Sequence, residues 1–205
     1  MSAVLLRHKW LAIFSLLGVA AWLGGCYGSG PTSPGGLPVI FYEEFESGLG
    51  LWKQGNDLPD DPNRPDQKVE WRIETSAREV QSGSYSAEFY LDGRQDDGTI
   101  WLTRRFSVPA EKGVSVHLYF YLWSEDESSA NRLADVVAYA GTQSPTVEAD
   151  FSDRQAANQK KGWVRYHYQM TVPKHDGTIW VAFGISATWE TQLTYYIDSL
   201  KIEIE

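Results

Sequence analysis

Residues 114–123, Val-Ser-Val-His-Leu-Tyr-Phe-Tyr-Leu-Trp, alternate without a break. Val114, Val116, Leu118, Phe120 and Leu122 fall on one side, and Ser115, His117, Tyr119, Tyr121 and Trp123 on the other. Side chains of a strand point to opposite faces with period two, so this is a long strand with two chemically different faces. The aliphatic face belongs to a core. A solvated face would normally carry Lys, Glu and Thr, whereas this one carries three aromatic rings and an imidazole, each with a polar handle.

The same period returns along the chain. Residues 39–46, 69–73, 85–91, 99–106, 133–140, 163–172, 178–186 and 195–204 read as further strands, and residues 147–151 as a short one. Residues 55–68, rich in Pro and Asp and without an apolar period, read as a long loop. No segment sustains a helical period. The chain has 18 Gly and 9 Pro beside 9 Trp, 11 Tyr and 8 Phe, a mixture suited to strands joined by many turns. These features predict an all-β domain over residues 38–205, either a sandwich or a barrel. One short string recurs, Asp97-Gly98-Thr99-Ile100-Trp101-Leu102 and Asp176-Gly177-Thr178-Ile179-Trp180-Val181. Six residues are too few for a duplicated domain and read as two similar turn-into-strand starts.

The N-terminus is an address. Arg7, His8 and Lys9 precede an almost wholly apolar run to Leu23, followed by Leu23-Gly24-Gly25-Cys26. These are the parts of a secretory signal, and the apolar run is short for a membrane span of about 20 residues. Leu-Gly-Gly-Cys resembles the lipobox of bacterial lipoproteins. That resemblance implies a signal peptide over residues 1–25, lipidation of Cys26, and a Gly-, Ser- and Pro-rich tether to residue 37. An ordinary signal peptide or an anchor helix is the alternative. The implied location is the bacterial cell envelope, with the membrane engaged through the lipid only. Tyr27 after the cysteine favours the outer membrane in a Gram-negative cell. Cys26 is the one cysteine, so no intramolecular disulfide can form.

The net charge is −9, and −11 without the segment carrying Arg7 and Lys9. Such a surface repels nucleic acid and anionic lipid, so neither is expected as a partner. It also disfavours a polyanionic polysaccharide unless calcium or a local basic patch intervenes.

Several short motifs resemble one group of domains. They are Phe45-Glu46-Ser47-Gly48 with Trp52, Ser82-Gly83-Ser84-Tyr85-Ser86, Gly162-Trp163, and the closing Tyr195-Tyr196-Ile197-Asp198-Ser199-Leu200. In order and spacing they resemble jelly-roll carbohydrate-binding modules and MAM-type adhesion domains. Ser199 stands where that group often has a second Asp, and the disulfides of animal MAM domains have no counterpart here. The resemblance implies a jelly-roll β-sandwich of two antiparallel sheets. It also implies a concave sheet that displays aromatic rings to sugars, as in the modules. On that model Tyr119, Tyr121, Trp123 and Trp180 form the platform, and His117, Arg165, His167 and Gln169 supply hydrogen bonds. The alternative is that loops cover this face and its rings are packing. The resemblance further implies a structural Ca²⁺ joining the first and last strands through Glu46, Glu79, the Ser82 carbonyl and Asp198; the alternative is solvated acids at a sheet edge.

Catalysis has two possible sources. Glu148-Ala149-Asp150-Phe151-Ser152-Asp153 is similar to the acid cluster of jelly-roll glycoside hydrolases, which use alternating acids on one strand. Arg165, His167, Gln169, Tyr119 and His117 could instead serve a polysaccharide lyase, with Arg neutralising a uronate and Tyr or His moving the proton. The expectation is a monomeric envelope lipoprotein whose domain binds a glycan or another surface ligand without catalysis. A lyase is the first alternative and a purely structural or adhesion lipoprotein the second.

Overall fold

The structure, a computed structural model, describes residues 38–205 apart from residues 65, 111, 112, 126–131 and 158. The signal, Cys26 and the tether, all expected within residues 1–37, lie outside the described residues. Among the described residues eleven strands run in order: β1 Val39–Glu43, β2 Lys53–Asp57, β3 Trp71–Ser76, β4 Ser86–Gly93, β5 Thr99–Ser107, β6 Val114–Ser124, β7 Ala134–Gly141, β8 Asp153–Ala156, β9 Gly162–Val172, β10 Thr178–Ala187 and β11 Thr191–Ile204.

They form two sheets. The first has the order β3-β4-β11-β6-β9, with β1 also paired to β11, and the second has β2-β5-β10-β7-β8. Every pairing is antiparallel. From β4 onward the chain crosses between sheets at each step except β7 to β8. Apart from the consecutive pair β7-β8, the central rows β4-β11-β6-β9 and β5-β10-β7-β8 therefore pair strands that are not neighbours in sequence, which is the double Greek key of a jelly roll. The last strand, β11, lies between β4 and β6, so the chain ends seal the middle of the first sheet.

The core fills the space between the sheets, as alternation demands. Val116, Leu118, Phe120 and Leu122 of β6, with Tyr166, Tyr168, Met170 and Val172 of β9, face Ile179, Val181, Phe183 and Ile185 of β10 and Ile100 and Leu102 of β5. Burying a side chain such as Phe120 contributes about 1.5–3 kcal/mol. The two core tyrosines reach the opposite sheet. Tyr168 donates its hydroxyl to the Val136 carbonyl at 2.8 Å and Tyr166 to the Ala156 carbonyl at 2.7 Å. Burial pushes the Tyr166 phenol up to about 12 and raises Tyr168 as well, so both act as neutral clamps.

A second, smaller core lies on the outer side of the second sheet. Trp101, Val137, Ala182 and Phe151, with Tyr139 against them, form it. Glycine makes room for it twice. A Cβ on Gly55 would meet the Trp101 ring at 2.3 Å, and one on Gly184 would meet the Ile100 carbonyl at 2.0 Å.

Four expectations need correction. Residues 55–57, expected to begin the long loop, instead complete β2 against β5; Leu58 turns into the core just after it. Residues 153–156 form β8, a short polar strand with no apolar period to reveal it. Residues 147–151 are no strand: Glu148–Asp150 is a single 3₁₀ turn. Tyr85 does not join the core face of β4 but is 43% exposed in the preceding turn.

Candidate functional site

The antiparallel register of β6, β9 and β11 assembles the outer face of the first sheet row by row. Between β6 and β9 the partners are Ser115 with Thr171, His117 with Gln169, Tyr119 with His167, Tyr121 with Arg165, and Trp123 with Trp163. On the other flank β11 sets Glu203 beside His117, Lys201 beside Tyr119, Asp198 beside Tyr121 and Tyr196 beside Trp123. Seven of the eight residues expected to bind ligand therefore share one surface. It is not a second core. The outward residues of β6 are half-buried, and Arg165, His167 and Gln169 are exposed.

The rings are packed against one another rather than laid flat to solvent. Tyr119 and His167 stack at 4.3 Å with planes 6° apart. His117 lies parallel to His167 at 5.5 Å, and His117 Nδ1 stands 3.2 Å from His167 Nε2. The Arg165 guanidinium and the Lys201 ammonium stand over the Tyr119 ring at 5.1 and 5.7 Å, attracted by its quadrupole. Tyr119 is thus enclosed by His167, Arg165 and Lys201. It does not present the open flat ring expected from the platform model. Trp123 meets Tyr196 edge-on at 5.6 Å. The surface as a whole offers donors and acceptors at ring edges, with aromatic area toward the Trp123 end.

The charges are mutually adjusted. Lys201 reaches Glu203 at 2.5 Å; this hydrogen bond holds the Glu203 carboxyl below its usual range and raises the Lys201 ammonium. Burial holds the His167 imidazole down, helped by the charges of His117 and Arg165, while Glu203 opposes them.

Trp180 is the exception among the expected ligand-binding residues. It lies on β10, paired with Arg105 and Gly141, hence on the other sheet. The alternation that turned it outward gave no indication of which sheet it occupied. There it lines a shallow hollow of about 210 Å³ with Leu51, Lys53, Thr103, Arg104 and Arg105.

The expected calcium ligands gather where β4 and β1 meet along β11, but they do not form a cage. Asp198 is 0% exposed. Its Oδ2 accepts the N–H of Gln81 at 2.9 Å and of Ser82 at 3.0 Å, and its Oδ1 accepts that of Ser199 at 2.7 Å. Burial pushes this carboxyl up despite those donors, and Glu44 adds to the rise. Glu46 Oε1 accepts the N–H of Ser84 and of Tyr85 at 2.8 and 2.9 Å, which lowers its carboxyl. The Glu79 carbonyl, rather than its carboxylate, is engaged, by the Ser86 hydroxyl at 2.6 Å. Calcium needs six to eight oxygens. Among the described residues no three His, Cys, Asp or Glu side chains converge on a metal position. The acids instead grip the backbone of the turn between β3 and β4, directly joining the segments that an ion was expected to join.

The acid string 148–153 is likewise rearranged. Asp150 accepts the N–H of Thr146 and Val147 at 2.7 and 3.1 Å and so closes its own turn. Glu148 accepts the buried Thr99 hydroxyl at 2.7 Å and Arg154 at 2.9 Å. Both acids are therefore held by local donors on the second sheet's outer side. The alternation on one strand that a hydrolase pair was expected to show is absent from these residues.

Comparison with solved structures finds likenesses over 78–80% of this chain. A family 61 carbohydrate-binding module in complex with β-1,4-galactotriose is 11% identical, covering 78% of this chain and 92% of its own, with a TM-score of 0.41. The xylan-binding domain of Paenibacillus barcinonensis Xyn10C is 15% identical, with coverages of 80% and 92% and a TM-score of 0.39. The K1 cleaved adhesin domain of the Lys-gingipain of Porphyromonas gingivalis W83 is 13% identical, with coverages of 80% and 96% and a TM-score of 0.44. No protein-family model matches the chain, and no curated protein does. At these identities the likeness is one of chain trace and says nothing of ligand.

Four residues of the face escaped the sequence: Trp163, Tyr196, Lys201 and Glu203. Lys201 and Glu203 do alternate with Leu200, Ile202 and Ile204 in the closing strand. That signal marks them as outward but does not reveal β6 as their neighbour, because strand order is set by long-range pairing.

Proposed function

We propose that the outer face of β6, β9 and β11 binds carbohydrate without transforming it, in a domain tethered to the bacterial cell envelope by lipid at Cys26. The observation that carries this reading is the side-by-side placement of Tyr119, Tyr121, Trp123, Trp163, Arg165, His167 and Gln169 on an open sheet surface. Sugar hydroxyls need convergent donors and acceptors, and sugar C–H groups need aromatic surface. This face supplies both: guanidinium, imidazole, amide and phenol tips in the middle, and indoles at one end. The membrane is engaged through the lipid only, and the domain acts as a monomer.

A glycan-array screen of the purified chain tests the reading, with β-1,4-galactan and xylan oligosaccharides as first probes. Saturable binding that Arg165→Ala weakens is the expected result; no binding across the array would refute it. A second reading is favoured by the contact of Tyr119, His117, His167 and Arg165, which a polysaccharide lyase would also need. Lyases leave an unsaturated uronate whose ultraviolet absorbance grows with turnover. Growth of that signal with a uronate polymer would replace the binding reading by the lyase one.

A further inference from the structure

The whole chain carries 27 Asp and Glu against 18 Lys and Arg, yet the middle of the proposed binding face reverses that balance. Arg165 and Lys201 stand over Tyr119, the His117–His167 pair lies beside it, and Glu203 is the one acid that pairs with any of them among the described residues. A cationic island on an acidic domain is a selective surface, because the net negative charge of the rest of the domain repels the anion that the island attracts.

The imidazole pair gives the island a second property. His117 Nδ1 and His167 Nε2 are 3.2 Å apart, so one nitrogen carries the proton and the other accepts it. The pair can take one more proton and keep this hydrogen bond, and the Tyr119 ring stacked at 4.3 Å favours the resulting cation. A further proton would set two N–H groups against each other. The groups facing the pair are Ser115 and Tyr119 from β6, Arg165 and Gln169 from β9, and Lys201 and Glu203 from β11. Arg165 and Lys201 oppose protonation and Glu203 favours it. Burial holds His167 below its usual range, helped by the charges of His117 and Arg165.

We propose that this face selects an anionic saccharide, one bearing carboxylate or sulfate, and that binding draws a proton onto the His117–His167 pair. The inference rests on the carbohydrate-binding reading and names its ligand class. An anion held by Arg165 beside the imidazoles offsets the burial and the repulsion that hold His167 down. The complex then binds more protons than the free protein, so affinity rises as pH falls from 8 to 5.5. Below that range the gain ends as a uronate's own carboxylate takes up its proton.

The test is calorimetric titration of the full chain, at pH 8, 6.5 and 5.5 and constant ionic strength, with a uronate oligosaccharide, a sulfated galactan oligosaccharide and a neutral galactan oligosaccharide. Binding of either anionic ligand, about tenfold tighter at pH 5.5 than at pH 8 (about 1.4 kcal/mol), is expected. Uptake of protons, measured in buffers of different ionisation heat, should accompany it. Binding of the uronate alone would assign the anion as carboxylate, of the sulfated sugar alone as sulfate; each supports the proposal. In His117→Gln and His167→Gln the ratio between the two pH values should fall to about one. Equal binding of the neutral sugar, or a ratio that survives both substitutions, would overturn the inference and leave carbohydrate binding standing. Binding of none of the three, together with a silent glycan array, would remove both.

Discussion

Asp198 is where the removal of one carboxylate should be most visible in stability. Its carboxylate is fully buried and accepts three backbone N–H groups, those of Gln81, Ser82 and Ser199. In Asp198→Ala all three donors lose an acceptor that is itself fully buried, although Gln81 and Ser82 belong to an exposed turn. Each orphaned buried donor costs about 1–3 kcal/mol. Taking the lower end for all three, because removing a buried carboxylate also relieves its own desolvation, gives about 3 kcal/mol. At about 2–4 °C per kcal/mol for a domain of this size, Tm should fall by about 6–12 °C. Asp198→Asn keeps one acceptor oxygen and should fall by roughly half as much. The pH dependence has the opposite sign from that of an ordinary ion-paired acid. Burial raises the folded-state carboxyl, so its stabilising contribution is fully present below the unfolded pKa and is lost as pH rises through the folded one. The deficit of Asp198→Ala should therefore be larger at pH 4 than at pH 7. Thermal melts followed by circular dichroism at the two pH values measure this. A Tm within 1 °C of the parent at both pH values would refute the role of Asp198 as the clamp of this turn.

Chelator and millimolar calcium should leave Tm the same within about 1 °C, since Glu46 and Asp198 already hold backbone amides; a shift of several degrees would show an ion there. Trp180→Ala should not change saccharide affinity, because Trp180 lies on the opposite sheet; a tenfold loss would move the site to that sheet. Cys26→Ser should shift the protein from the membrane fraction to the soluble fraction of cells, and an unchanged distribution would exclude the lipid anchor.

What could be read from the sequence was local, and what could not was relational. The alternation of residues 114–123 gave β6, its core face and its outward face almost residue by residue, because period two is enforced by the backbone itself. The same held for β9 and β10. Short polar strands failed: β2 and β8 exist because a neighbour supplies their hydrogen bonds, not because their side chains demand a sheet. Trp180 was rightly placed outward and assigned to the wrong surface, since alternation is blind to which sheet a strand enters. Glu46 and Asp198 were expected to meet through an ion; the structure shows both accepting backbone N–H groups of an intervening turn, a partnership that residue type and spacing do not announce. Tyr119 was expected as an open platform, and Lys201, 82 residues further along, is one of the groups that enclose it.

The account stands most directly on whether the β6–β9–β11 face holds the ligand. The deciding measurement is the Kd of the saccharide selected by the array for the parent chain, Tyr119→Ala and Arg165→Ala, with circular dichroism confirming each fold. Each substitution should weaken binding by about tenfold or more, about 1.4 kcal/mol, while the strand spectrum is unchanged. Parent-like Kd values in both variants would contradict the account, because they would leave the ligand bound somewhere other than this face.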